Sequence, residues 1–258
     1  GVGLRGRVAE YLAAYRSELT AEGVDEKGAD VAVEHKAEWV PEIKAMFEAR
    51  VPYKYREEFQ RAKLPDLSAH EKTVKAWAGG GVILHGPSGW GKTFSAYDAV
   101  LQSLLRGTPG ADNVAMFKTV DLTRILREND GFGNNPDVAT VLRLLRNETT
   151  DVDEDAIYEG GRRKLFNVEM KHWWSNNGLF IDDLHQARGS ARWLEELYSI
   201  VEALTANGTP LMVTTQLYGD ALINRLANGK KDQQDQAEAI VRRLWDYCDV
   251  IEFGCPAE

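Results

Sequence analysis

Eight consecutive residues, Gly86-Pro-Ser-Gly-Trp-Gly-Lys-Thr93, spell G-x-x-x-x-G-K-[S/T] in full. The spelling has a chemical reason. Gly86, Gly89 and Gly91 let a backbone wrap tightly and aim successive N–H groups at phosphate oxygens. Pro87, Ser88 and Trp90 occupy the free positions between them. A helix starting near Lys92 adds the positive end of its dipole at the same spot. Lys92 supplies a cation for the β- and γ-phosphates, and Thr93 a hydroxyl for Mg2+. Residues Gly86 to Thr93 therefore read as a cradle for ATP with Mg2+.

A second cluster completes such a site. In "GLFIDDLH" a short apolar run ends in two acids, Asp182 and Asp183. Asp182 is the expected Mg2+ holder, acting through the ion's water shell. Asp183 is the expected base that orients or deprotonates the attacking water. Aspartate is a shorter base than glutamate, which points to slowed rather than abolished hydrolysis.

These groups need elements to hold them. Apolar runs without alternation occur at Val82–His85, Val114–Phe117, Leu179–Asp182, Leu211–Thr215 and Val250–Phe253. Such runs suit strands buried on both faces of a parallel sheet. With helical segments between them, they predict an α/β sandwich. The first run leads straight into Gly86, and a helix is expected from Lys92 to about Leu105. About sixty residues separate the second and third runs, too many for a simple crossover. They hold a polar break, "NDGFGNNPD", and an acidic stretch, "DVDEDAIYEGGRRK". A helical insertion is expected at about 125–176.

Residues 1–50 read as helical and charged. Val8, Tyr11, Leu12, Tyr15 and Leu19 share one helical face, and Val33, Val40 and Phe47 lie on a second stretch beyond a break at Gly23 to Gly28. Pro41 starts or kinks a helix there. These faces are too sparse for an independent core, so they are expected to pack on the main domain or on a partner. Residues 51–79 read as a linker into a core spanning 80–258.

The bulk numbers agree with one α/β domain and a short appendage: 258 residues, 43% of them hydrophobic. The net charge of -9 does not advertise nucleic acid, so any DNA contact must come from a local basic patch. Two cysteines, Cys248 and Cys255, form neither a disulfide framework nor a C-x-x-C pair. No apolar run approaches a membrane span, and no secretory leader is legible. A cytoplasmic location is expected. "DVDEDAIYE" lacks the turn glycine of a calcium loop at Ala156 and its closing glutamate, where Arg162 falls.

The order of these segments resembles the AAA+ ATPases, most closely the DnaC/DnaI-type replicative helicase loaders and the related IstB transposition helpers. The likeness runs over roughly residues 50–254, through "VPYKYREEF", "HGPSGWGKT", "FKTVDLTRILRE", "FIDDLH", "LEELYSIVEALTANGTPLMVTTQ" and "IVRRLWDYCDVIEF". The resemblance implies an AAA+ P-loop core with a parallel five-stranded sheet, without a C-terminal helical lid, behind a short N-terminal helical region. It places Gln216 where the family's sensor strand ends in asparagine, with Thr214 and Thr215 as adjacent alternatives. It matches Arg243 to the finger that a neighbouring subunit inserts toward the γ-phosphate, with Arg242 as the alternative. It implies ATP hydrolysis, self-association with ATP at subunit interfaces, and a replicative hexameric helicase gripped by residues 1–50. It further implies single-stranded DNA as a partner, through Arg143, Arg146, Arg162, Arg163, Lys164 and Lys171 beside His172, Trp173 and Trp174. Two other functions stay open: an IstB-like ATPase helper of transposition, and a nucleotide-gated interaction module with little hydrolysis.

Overall fold

The computed structural model describes residues 4–30, 33, 51, 55, 64–77, 80–106, 114–128, 178–187 and 190–254. Its strands show why the apolar runs carry no polar alternation. In β1 (Gly81–His85), Val82 and Leu84 join one apolar cluster, while Ile83 joins another on the opposite face. The same division recurs in β3 (Gly178–Asp182), where Phe180 faces one cluster and Leu179 and Ile181 the other. In β4 (Leu211–Thr215), Met212 opposes Leu211 and Val213. Each of these three strands feeds two cores, so successive residues in its middle are apolar.

Among the described residues, β2 (Val114–Lys118), β3, β4, β1 and β5 (Cys248–Glu252) form one parallel sheet in that order. β4 therefore lies between the strand that enters the glycine loop and the strand that ends in the two acids. Four of the expected runs coincide with strands to within a residue, by comparison of sequence and structure. The fifth is displaced toward the N-terminus. β5 is an edge strand, and Asp249, Val250 and Glu252 are exposed on it. Backbone pairing with β1 sets its limits, not a continuous apolar run.

One face of the sheet is covered by α2 (Leu67–Trp77) and α3 (Lys92–Arg106). The other face packs α5 (Ala191–Ala206), α6 (Gly219–Leu226) and α7 (Gln234–Tyr247). α4 (Thr119–Glu128) follows β2 and contributes Leu122 to this second cluster. The α2 helix lies in the stretch read as a linker. Its buried residues, Ala69, His70, Thr73, Val74 and Trp77, recur three or four apart on one face. Asp66 caps it, accepting the Ala69 amide at 2.9 Å, and also accepts the Gly254 amide at 3.1 Å. The start of this helix is thereby fastened to the far end of β5.

Near the N-terminus, α1 (Leu4–Ala21) carries the expected helix, with Leu12, Tyr15 and Leu19 half-buried. The chain turns at Gly23, φ 91°, and becomes helical again at residue 26. Asp25 Oδ1 accepts the Gly28 amide at 2.7 Å, so Gly28 lies inside the new helix, not in the break. Val40, Pro41 and Phe47, and the insertion beyond residue 128 with its basic and aromatic residues, lie outside the described residues. No helix among the described residues is long and apolar enough to cross a membrane.

Candidate nucleotide site

The glycine loop joins β1 to α3 at the carboxyl end of the sheet. Gly86 shows why its position demands glycine. Its φ is 136°, and a Cβ there would strike the backbone carbonyl of Phe253. The Phe253 amide donates to the His85 carbonyl at 2.8 Å, which locks the loop's first residue against the end of β5. Gly89 and Gly91 also have positive φ, 85° and 90°. Trp90 is half-buried and packs beside Gly254. It lies against the end of the C-terminal strand, while Pro87 and Ser88 are exposed.

Lys92 opens α3 and is almost wholly buried. Its Nζ donates to the carbonyls of Gly86 and Pro87, each at 2.6 Å. Burial lowers its pKa from the ordinary value, against the opposing pull of Asp183 and Asp182. The buried ammonium is held by two backbone carbonyls, whose places the oxygens of an anionic ligand can take.

The two acids reach the loop through its threonine. Thr93 Oγ1 donates to Asp182 Oδ1 at 2.8 Å. The same carboxylate oxygen accepts Thr214 Oγ1 from β4 at 2.7 Å, and the Asp182 carbonyl accepts Thr119 Oγ1 at 2.9 Å. Asp182 is 3% exposed. Burial raises its pKa, the Thr214 bond opposes the rise, and Asp183 adds to it. Asp183 differs from its neighbour in backbone conformation and exposure. It adopts the left-handed conformation, φ 58° and ψ 49°, and its side chain is 43% exposed. Its amide donates to Thr214 Oγ1 at 2.8 Å. One aspartate is thus buried and clamped, and the other is open to water.

The sensor assignment divides between residues. Gln216 lies one residue beyond β4 with its side chain exposed, and its amide donates to His185 Nδ1 at 3.2 Å. Thr214 touches the acids directly. Thr215 Oγ1 instead accepts the Leu217 amide at 3.1 Å in a local turn. Arg243 lies on α7, where its Nη2 donates to Tyr198 Oη and to Glu202 Oε1, both at 2.8 Å. Its guanidinium also stacks 5.0 Å from the Tyr198 ring centre. Arg242 is far more exposed, 79% against 38%, and pairs with Asp246 at 4.0 Å.

His185 was not singled out by the sequence reading. It occupies a short 3-10 turn, Leu184–Gln186, and its side chain is 8% exposed. Burial lowers its pKa, Asp183 opposes the drop, and Lys92 and Arg225 add to it. The available signal was a histidine two places after the acid pair, close enough to turn back toward it.

The assembled groups fit a triphosphate and a hard cation. The glycine loop, Lys92 and the start of α3 present donors and positive charge to phosphate oxygens. Mg2+ takes few protein oxygens and keeps several waters, and Thr93 with Asp182 is such a pair.

No protein-family model matches the chain, and no curated protein matches it. Solved structures do. The structure of DnaI aligns with a TM-score of 0.51 at 16% identity, covering 83% of this chain and 94% of that one. This chain shares its fold with DnaI. The DnaC helicase loader aligns at TM-score 0.45 and 16% identity, over 79% of this chain and 100% of that one. AMPPCP-bound DnaA from Aquifex aeolicus aligns at TM-score 0.48 and 14% identity, over 80% of this chain and 51% of that one. The parallel five-stranded sheet with the glycine loop after β1 is the P-loop arrangement that the sequence motifs predict.

Proposed function

We propose that this chain is an AAA+ ATPase that loads or remodels a replicative DNA helicase on single-stranded DNA. The observation that carries the nucleotide part is the joining of Thr93 to Asp182 across the sheet at 2.8 Å, beside Lys92 and Asp183. Lys92 and the loop amides would bind the phosphates. Thr93 and Asp182 would hold Mg2+, which supplies positive charge against the phosphate oxygens. Asp183, exposed and free of the clamp on Asp182, would orient the attacking water and take its proton.

The helicase part rests on the sequence resemblance, supported by the shared fold with DnaI. ATP at an interface between copies of the chain would favour assembly, and hydrolysis would release it. Residues 1–50 would grip the helicase, and single-stranded DNA would be the track on which it is placed.

Two measurements test this reading. In an ATPase assay with and without single-stranded DNA, wild type should turn over, and Asp183→Asn should keep binding and lose turnover about a hundredfold or more. Binding without turnover in wild type would favour the nucleotide-gated module. Next, the full chain and a chain lacking residues 1–50 would be mixed with a hexameric helicase. Retention only by the full chain supports the loader. Duplex DNA preference without helicase retention favours the transposition helper.

A further inference from the structure

The geometry points to His185 as a positioning residue that ties the water-activating Asp183 to the backbone of the sensor Gln216. The inference rests on the ATPase reading of the site and names a residue which that reading does not use.

The strands β3 and β4 end side by side, with Asp183 beyond one and Gln216 beyond the other. His185 turns back between them. Its Nδ1 accepts the Gln216 amide at 3.2 Å and lies 4.0 Å from Asp183 Oδ1. Its own carbonyl accepts Arg225 Nε from α6 at 2.8 Å, which fixes the turn from a third side. Its Nε2 lies 3.2 Å from Gln186 Nε2, so a proton on this ring nitrogen requires the Gln186 carboxamide to be turned over, with its oxygen toward the ring. The ring is thus nearly enclosed, with contacts at both nitrogens.

The bond to Gln216 decides the protonation state. A nitrogen that accepts an amide hydrogen needs its lone pair, so the ring proton resides on Nε2 and the imidazole is neutral. Burial favours the same form. A neutral ring near Asp183 makes no ion pair with it, so the carboxylate is left open to water. The ring still fixes the separation of the two strand ends. When the Gln216 side chain meets a γ-phosphate, displacement of its backbone presses on the imidazole and hence on the Asp183 turn. The second tie between the strands, Thr214 Oγ1 to the Asp183 amide, leaves Gln216 out. His185 bonds the Gln216 backbone and, within the turn that follows Asp183, stands 4.0 Å from that carboxylate.

The test compares His185→Leu with His185→Asn in the full chain. Leucine fills the space without an acceptor, while asparagine offers an oxygen near the position of Nδ1. With His185→Leu, kcat should fall roughly ten- to a hundredfold, matching a lost buried hydrogen bond. KM and the Kd for an ATP analogue should stay within about threefold, because the loop amides and Lys92 are untouched. His185→Asn should recover most of the loss. An unchanged kcat in His185→Leu, or equal losses in both variants, would overturn the assignment.

A second readout needs neither turnover nor a folded variant. In wild type with 15N-labelled histidine, His185 should show an unprotonated, hydrogen-bonded Nδ1 and a protonated Nε2 near neutral pH. Averaged tautomers, or a protonated Nδ1, would overturn the proposal. Absence of ATPase activity in wild type would instead reject the hydrolysis reading, with the nitrogen shifts still deciding the His185 contact.

Discussion

Thr214 holds Asp182 from the neighbouring strand, donating to its Oδ1 at 2.7 Å, and its oxygen accepts the next residue's amide at 2.8 Å. One hydroxyl therefore restrains the buried acid and the exposed acid together. The strand between the phosphate loop and the acid pair acts on the site through its side chain as well as its backbone.

Thr214→Val keeps the shape of the side chain and removes both bonds. Unfolding by denaturant should show a loss of about 1–3 kcal/mol, because a buried carboxylate and an amide lose a partner. The same change removes the bond that opposes the raised pKa of Asp182. A raised carboxyl pKa means more protonated acid as pH falls. The Mg2+ concentration for half-maximal turnover should therefore rise in the variant, and more steeply toward acid pH.

Lys92→Ala should weaken nucleotide binding at least tenfold to a hundredfold, the range for lost charge-assisted bonds to an anion. The pH dependence follows from its lowered pKa. In the free protein this ammonium loses its proton at lower pH than an ordinary lysine. Binding of an ATP analogue requires that proton, so affinity should begin to fall on the alkaline side before ordinary lysines titrate. Equilibrium titration across alkaline pH checks the onset.

Gly86→Ala places a methyl group against the Phe253 carbonyl at a φ of 136°. The conformation alone should cost about 1–3 kcal/mol, and the collision adds to it. Thermal unfolding should shift down, and the end of β5 should become more open to hydrogen exchange. Gly89→Ala meets nothing within 4 Å and bears only the conformational strain at φ 85°. It should therefore destabilise less.

Arg243 is tied within its own chain to Tyr198 and Glu202. To act as a finger it must leave both partners when a neighbouring copy docks. Arg243→Ala should then lower turnover in the assembled state and leave nucleotide binding by the isolated chain intact. The more exposed Arg242 provides the comparison. If Arg242→Ala removes turnover on assembly and Arg243→Ala does not, the finger role moves by one residue.

The sequence revealed most where one residue's chemistry is independent of its neighbours in space. The glycine loop needs particular residue types at fixed offsets, and β1, β3 and β4 need apolar side chains on both faces, so each was legible. β5 was misplaced because an edge strand borrows its limits from its partner. The α2 helix was hidden because His70 and Thr73 belong to its buried face, breaking the apolar pattern. The division of labour between Thr214, Thr215 and Gln216 depends on which residue faces Asp182, and that follows from the register of β3 against β4. His185 depends on a turn that brings it back to a strand made later in the chain.

The order of the sheet also has a consequence for synthesis. β1 emerges from the ribosome before the other described strands, yet its two neighbours, β4 and β5, are the last of them to follow. The loop at Gly86 rests on Phe253, so its final shape waits for almost the whole described chain. Until then the nascent protein carries two unpaired, apolar strand edges, the condition in which chains associate wrongly. Nucleotide would accordingly find no finished seat on a growing chain, and its capture would report that translation has run to completion through β5.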